Sequence, residues 1–182
     1  MKRLPLIWMI VAIVMAIAMV IPASATPIWT LYGGHEYAII DPAPTWQIAE
    51  STSVGFGGHL VAINDAAEND FVNQLVLADY PAERAWIGLF QQPGSTEPDQ
   101  GWGWSSGDPY VFTNWAAGQP SGGTGANFGL ILPDGTWNDV SSDVNFQPHI
   151  GVAERNIPEA STSALLGLGL LALILRRRRE KH

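Results

Sequence analysis

Two stretches of the chain carry apolar residues at the spacing of an amphipathic helix. The first is predicted from Trp46 to about Val54, and Thr45 stands where an N-cap residue is expected. The second follows Asp65 as its cap, and Glu68 lies three positions later, as in a capping box. The predicted core faces hold Trp46, Ala49 and Ser53 in the first helix and Phe71, Val72, Leu75 and Val76 in the second.

The other apolar runs are short and bounded by Gly or Pro, which is typical of strands. They lie at residues 28–40, with a break at Gly33-Gly34, and at 59–63, 85–90, 102–104, 130–132, 136–137 and 149–154. Pro42 and Pro44 are predicted to end the first run. Asp134 and Gly135 have the composition of a hairpin turn. Because helices and strands do not alternate, the pattern predicts an α+β domain.

Both ends of the chain differ from the rest in composition. Residues 1–25 have a positive start, an apolar run and an Ala-x-Ala pattern that ends at Ala25, which predicts a cleaved secretory signal peptide. An uncleaved membrane anchor is the alternative, because the apolar run is long for a signal. Residues 161–175 are apolar or small, and the four arginines that follow predict a short membrane-spanning segment with a cytoplasmic flank. Residues 26–157 are then one exported domain.

The net charge of this domain limits the classes of partner that it can bind. Residues 26–157 contain 15 acidic side chains and two basic ones, Arg84 and Arg155. An acidic domain repels nucleic acid and anionic surfaces, so nucleic-acid binding is excluded, whereas cations and neutral ligands remain compatible. The chain has no cysteine, so disulfides and thiol chemistry are excluded and packing alone must stabilise the domain.

A glycine-rich loop between Trp115 and Trp137 is the first candidate for a functional site. Polar side chains lie at its two margins, Gln119 and Ser121 at one and Asn138 and Asp139 at the other. Oxygen atoms brought together from both ends of a surface loop suit a hard cation or a sugar hydroxyl. The alternative is a solvated loop in which Asn and Asp only cap turns.

Several short motifs occur in a specific order along the chain. They are Gly57–Leu60, Glu68, Trp86–Leu89, Trp102–Ser105, Asn114-Trp115, Gly118–Pro120 and Trp137–Asp139. Each motif is weak alone, but together they resemble the C-type lectin-like domain family over nearly all of residues 28–154. The resemblance implies a C-type lectin-like fold, with two helices, small antiparallel sheets and a long loop region.

The resemblance also implies a binding site, because calcium-dependent members of the family hold an ion and a sugar at the long loop. By position, Gln119, Asn138 and Asp139 are the expected metal ligands, and Ser121 and Asn127 join them in contacting a ligand. The sequence departs from the family pattern at Ser121, where Asn or Asp is expected, and at Ala126, where Glu is expected. Calcium takes roughly 6–8 oxygens, typically including carboxylates, so a site with Asp139 as its single carboxylate should bind calcium weakly.

The C-terminal end is similar to the PEP-CTERM sorting signal of Gram-negative bacteria. Pro158 and Glu159 precede the apolar segment and the arginine cluster, although Ala160 replaces the usual second proline. The resemblance implies that an exosortase, a membrane enzyme, cuts near Pro158-Glu159 at the cell envelope. A plain membrane anchor is the alternative. The chain is therefore divided into a signal peptide (1–25), a lectin-like domain (26–157) and a sorting signal (158–182).

Two functions fit these features. The first is an exported carbohydrate-binding or adhesion module for extracellular polysaccharides, with calcium as its cofactor. The second is a protein-interaction or structural module with a degenerate calcium site. An enzyme is not predicted, because His35, His59 and His149 lack the spacing of a zinc site and no Gly-x-Ser-x-Gly nucleophile motif occurs.

Overall fold

The computed structural model describes residues 26–142 and 147–157. The predicted signal peptide and the predicted sorting signal lie outside these ranges. Two α-helices, one short 3-10 helix (Gly123–Gly125) and eight strands occur in the described part of the chain. The helices are α1 (Trp46–Gly55) and α2 (Ala66–Asp79), and the strands are β1 (Thr30–Tyr32), β2 (His35–Ala43), β3 (His59–Leu60), β4 (Ala85–Gln91), β5 (Trp102–Trp104), β6 (Phe128–Ile131), β7 (Trp137–Val140) and β8 (His149–Asn156).

The described strands join one sheet, in the order β1-β2-β8-β4-β6-β7. Strand β3 pairs with β8, and β5 pairs with β4. The β4–β8 pair is parallel, whereas the other pairs are antiparallel. The α+β prediction is confirmed, and the predicted small sheets are parts of this single mixed sheet.

Both helices begin at the predicted caps. Thr45 Oγ1 accepts a hydrogen bond from the Ile48 backbone N–H at 3.2 Å, and Asp65 Oδ1 accepts one from the Glu68 N–H at 2.8 Å. These bonds satisfy backbone donors that a helix leaves unpaired in its first turn. The Glu68 carboxylate, however, binds Tyr37 Oη and the Asn64 N–H rather than closing a capping box.

Several strand predictions were wrong at their ends, including those for β6 and β7, and two of the differences have a clear physical reason. The predicted strand 59–63 stops at Leu60, because Val61 donates its N–H to Val152 and accepts one from Gly88, both at 2.8 Å. Val61 therefore bridges β8 and β4, and the fully buried segment after it leaves the sheet. Strand β2 passes the predicted stop at Pro42 and ends at Ala43, since its register against β8 shifts in this region.

The core lies on both faces of the sheet. On one face, α2 packs Val72 and Val76 against Ile87 and Trp137, and on the other α1 packs Trp46 and Ala49 against Trp86 and Leu130. The successive residues Trp86 and Ile87 serve opposite faces, as the pleat of β4 requires. None of the helices in the described ranges is long and apolar enough to cross a membrane.

Candidate functional site

The long loop begins and ends at one place on the sheet. Trp115 forms an isolated parallel bridge with Trp137 in β7. Two backbone hydrogen bonds of 2.8 Å, Ala116 N–H to Trp137 O and Trp137 N–H to Asn114 O, make the bridge. The loop thus leaves the edge of β7, and its other margin returns to that edge through β6.

Aromatic rings fix the base of the loop. The Trp115 ring lies edge-on to Trp102 and Trp137, with centroid distances of 4.9 and 6.0 Å, and Trp104 lies edge-on to Trp137 at 5.5 Å. Trp137 is fully buried, and its Nε1–H donates to Asn69 Oδ1 of α2 at 2.8 Å. Edge-to-face aromatic pairs add stability beyond the area they bury, so the loop starts from a rigid platform.

Asp139 closes the loop from the side of β7. Its side chain is only 7% exposed. Both carboxylate oxygens accept the Ser121 N–H at 3.0 Å, and Oδ2 also accepts the Gly122 N–H at 2.6 Å. Hydrogen bonds to an ionised acceptor are among the strongest in proteins. Asp139 therefore acts as a clamp, which we call the Asp139 clamp, on the backbone at Ser121 and Gly122.

Two further features hold the same turn. Ser121 Oγ donates a hydrogen bond of 2.7 Å to Gln119 Oε1, across the cis Gln119–Pro120 peptide bond. A Cβ atom at Gly122 would lie 2.9 Å from Asp139 Oδ2 and would also collide with the Ala126 side chain. Only glycine therefore lets the backbone approach the clamp this closely.

The predicted site residues are only partly brought together. Gln119, Ser121 and Asp139 form one hydrogen-bonded chain. Asn138 is the neighbour of Asp139 on β7, so its side chain leaves the opposite face of the strand, and its buried Oδ1 has no partner. Asn127 precedes β6 and accepts the Gln91 N–H through its backbone oxygen at 2.9 Å. Pro158 and Glu159 of the predicted sorting motif lie outside the described residues.

The oxygen atoms at this loop do not fit calcium well. The Asp139 carboxylate is already occupied by backbone N–H donors, and Gln119 Oε1 by a hydroxyl. Ala126, at the position expected for Glu, offers no side-chain oxygen. In residues 26–142 and 147–157, no group of three His, Asp or Glu side chains is placed to hold a metal. Asn138 Oδ1 is the one predicted ligand atom whose bonding capacity is unused.

A second group of polar residues was not predicted from the sequence. Tyr37 Oη donates to Glu68 Oε1 at 2.6 Å and lies 3.5 Å from Glu154 Oε1, and both carboxylates are less than a tenth exposed. Burial, and next the hydrogen bond to Glu68, raise the pKa of Tyr37, while burial raises the pKa of Glu154. The sequence signal that could have indicated this group is Glu154, a single acidic residue near the end of the apolar strand β8.

Comparisons with known proteins agree with this architecture. A model of the Lectin C-type domain matches residues 43–147, and a model of the PEP-CTERM protein-sorting motif matches residues 156–179. Ladderlectin from Oncorhynchus mykiss is 26% identical over 133 residues, which are 71% of this chain and 67% of that protein.

Two solved structures share the fold. The cow C-type carbohydrate-recognition domain of CD23, crystallised in the presence of GlcNAc2Man3 oligosaccharide, is 25% identical with a TM-score of 0.60, over 71% of this chain and 93% of that one. A calcium-independent type II antifreeze protein is 24% identical with a TM-score of 0.60, over 74% of this chain and 93% of that one. The fold is therefore found in a carbohydrate-recognition domain and in a calcium-independent antifreeze protein.

Proposed function

The chain belongs to the C-type lectin domain family, and we propose that its exported domain is an interaction module whose long loop works without calcium. The family consists of binding modules rather than enzymes. The sorting motif at residues 156–179 is that of an exported protein sorted at the cell envelope. The partner is then a molecule outside the cytoplasm, either an extracellular polysaccharide or a protein.

The Asp139 clamp is the observation that carries this proposal. In a calcium site the carboxylate oxygens face the ion, whereas here they face two backbone N–H groups, that of Ser121 at 3.0 Å and that of Gly122 at 2.6 Å. An ion entering this position would have to displace the Ser121 and Gly122 N–H groups and leave them unpaired, which costs free energy. The clamp thus gives the loop a fixed conformation before any ligand arrives, and a preorganised surface loses less entropy on binding.

A second candidate function is calcium-dependent sugar binding through Gln119, Asn138 and Asp139. The unpartnered, buried Asn138 Oδ1 favours it, because buried acceptors normally have a partner. An ion would supply one only if the Asn138 side chain turned toward the face of β7 that carries Asp139. In this case Ser121 and Asn127 would join the three metal ligands in contacting the sugar.

Thermal unfolding of the full chain in detergent, with calcium or with a chelator, separates the two candidates. A calcium concentration of 100 times Kd stabilises a folded domain by about 2.7 kcal/mol, which is roughly 10 °C for this size. We expect no shift in Tm for the natural sequence. A shift of several degrees would overturn the calcium-free proposal.

A variant with two changes is the matched positive control. Ser121→Asn together with Ala126→Glu adds the oxygens that the family pattern expects, including a second carboxylate. This variant should gain a calcium-dependent rise in Tm. A glycan array probed with and without calcium then shows whether the natural sequence binds a sugar, and binding that a chelator abolishes would support the second candidate.

We also propose that the end of the chain is an exosortase substrate, cut near Pro158-Glu159 after transient anchoring in the inner membrane. The sorting-motif match supports this role. In a host with an exosortase, the natural chain should mature to a shorter form, and Pro158→Ala with Glu159→Ala should stay at full length. Equal maturation of both would argue for a plain anchor.

A further inference from the structure

A polar cleft lies apart from the long loop, at the end of the sheet where β8 leaves the domain. It has a volume of about 460 Å³ and is lined by residues at the start of β2, the end of β8, the end of α1 and the turn after β5. None of the long-loop residues lines it. We call it the His35–His59 cleft, after the two imidazoles in its walls.

Each of the two imidazoles in the walls of this cleft is paired with a carboxylate. His35 Nδ1 lies 2.7 Å from Glu154 Oε1, and His59 Nδ1 lies 2.7 Å from Glu50 Oε1. Both imidazoles are nearly half exposed, at 41% and 44%. Because a carboxylate orients each ring through Nδ1, the other ring nitrogen, Nε2, is left to bind something else.

Carboxylates supply most of the charge around the cleft. Glu154 is 8% exposed, and its Oε2 accepts the Ala62 N–H at 3.0 Å. Asp108 lies in the turn after β5, where its Oδ2 accepts a hydrogen bond of 2.9 Å from Ser106 Oγ. Burial raises the pKa of Glu154, with Glu68 and Asp108 contributing in the same direction, so a cation nearby would offset an unfavourable charge.

No Lys or Arg side chain in the described residues neutralises these carboxylates. Arg155 also lines the cleft, but its guanidinium is held by Glu36 at 2.8 Å and by the Phe56 carbonyl, and it lies 3.8 Å from the centre of the Trp29 ring. Residues 154 and 155 are consecutive on β8, so their side chains leave opposite faces of the sheet. The cleft therefore presents hydrogen-bond acceptors, and the charge of Arg155 in its lining is already paired with Glu36.

We infer that the His35–His59 cleft binds a small organic cation, a protonated amine that also carries hydroxyl groups. The amine suits the exposed Asp108 carboxylate, and the hydroxyls suit the imidazole Nε2 atoms and the Ser106 hydroxyl, while the buried Glu154 carboxylate orients His35. No three of the described His, Asp or Glu residues form a group that could hold a metal ion. The volume likewise exceeds what one ion fills. This inference goes beyond the proposed function and does not depend on it.

The test follows the His35 and His59 ring signals by NMR while glucosamine is added to the full chain in detergent. Glucose lacks the amine and cannot make the proposed contact with a carboxylate. Cadaverine lacks the hydroxyls and cannot make the proposed contacts with the imidazoles and the Ser106 hydroxyl. We expect glucosamine to shift both ring signals with saturation and to bind more tightly than either of the other two. Equal binding of glucose, or no saturable shift with glucosamine, would overturn the inference.

Asp108→Asn is the decisive variant, because Asp108 is exposed and its loss should leave the fold intact. It should weaken glucosamine binding about tenfold, as expected for a hydrogen bond to a charged group. Asp99→Asn is the matched control, since Asp99 is also an exposed loop carboxylate but does not line the cleft. If both variants weaken binding equally, the effect is one of net charge and the cleft is not the site. His59→Gln should also weaken binding while the Asp139 clamp stays unchanged.

Discussion

Carboxylates hold irregular backbone at two places in this domain, and the two places differ in how they are supported. In the core, Glu68 and Glu154 accept the N–H groups of Asn64 and Ala62 and surround the Tyr37 hydroxyl. At the edge of the sheet, Asp139 accepts N–H groups from Ser121 and Gly122. The same chemistry stabilises the fold in one place and shapes a binding loop in the other.

The support around each carboxylate explains the difference. The core group lies beneath Phe71 and Tyr32, whose rings stack at 4.1 Å, and it joins β2, β8 and α2. The clamp joins only β7 and a turn whose Ser121 and Gly122 are exposed. Breaking the core group should therefore unfold the domain more readily, while breaking the clamp should change the loop and spare the rest.

The largest expected loss of stability follows from breaking the carboxylate group in the core. Glu68→Ala removes a carboxylate that is 7% exposed and leaves the Tyr37 hydroxyl and the Asn64 N–H without their partner. We expect a loss of about 3 kcal/mol in the free energy of unfolding, measured by urea denaturation. Asp70→Ala, an exposed position on the same helix, is the control and should cost far less. Similar losses in both variants would mean that the network contributes nothing beyond helix propensity.

A smaller effect is expected at the clamp. Asp139→Asn keeps the shape of the side chain but removes the charge that the Ser121 and Gly122 N–H groups face. The free energy of unfolding should fall by about 1.5 kcal/mol, half the effect at Glu68. Asp99→Asn, at an exposed loop carboxylate, controls for the loss of one negative charge. A larger loss at Asp139 than at Glu68 would reverse the comparison.

The smallest expected effect is a pH dependence of the stability that arises from a third buried group, His149. His149 packs edge-on to Trp86 at 5.6 Å, and neither ring nitrogen has a hydrogen-bond partner. Burial, and next the charge of Arg84, lower the pKa of His149, while Glu83 acts in the opposite direction. His149 therefore binds a proton more readily in the unfolded chain than in the folded domain. The free energy of unfolding then falls as the pH drops below the unfolded pKa of about 6.5.

His149→Phe should remove this part of the pH dependence. The natural domain should lose about 1 kcal/mol of stability relative to the variant as the pH falls from about 6.5 to about 5.5. Comparing the two chains cancels the contribution of Glu154, whose raised pKa has the opposite sign and loses stability as the pH rises. Parallel stability curves for the two chains would show that His149 is protonated in the folded domain.

Local signals in the sequence predicted the elements of the fold well. The Thr45 and Asp65 caps and the Asp134-Gly135 turn each depend on residues a few positions apart, and the structure confirms all three. The pairing of Val61 with both β8 and β4 depends on residues far along the chain, so the predicted strand was too long.

The site was harder to predict for the same reason. Gln119, Ser121 and Asp139 lie together because the loop ends meet at Trp115 and Trp137, and their role in binding a ligand stays a prediction. Composition could not tell whether Asp139 faces an ion or backbone N–H groups, since both use the same oxygens. Tyr37 and Glu68 are 31 positions apart, and no local pattern links them.

Amide hydrogen exchange at Ser121 and Gly122 tests the central claim most directly, because these N–H groups are the ones that the Asp139 carboxylate holds. Without calcium, both amides should exchange at least about 100-fold more slowly than in an unstructured peptide, and calcium should not change their rates. Asp139→Asn should speed their exchange while leaving the Ala62 amide protected. Amides that exchange freely until calcium is added would contradict the account.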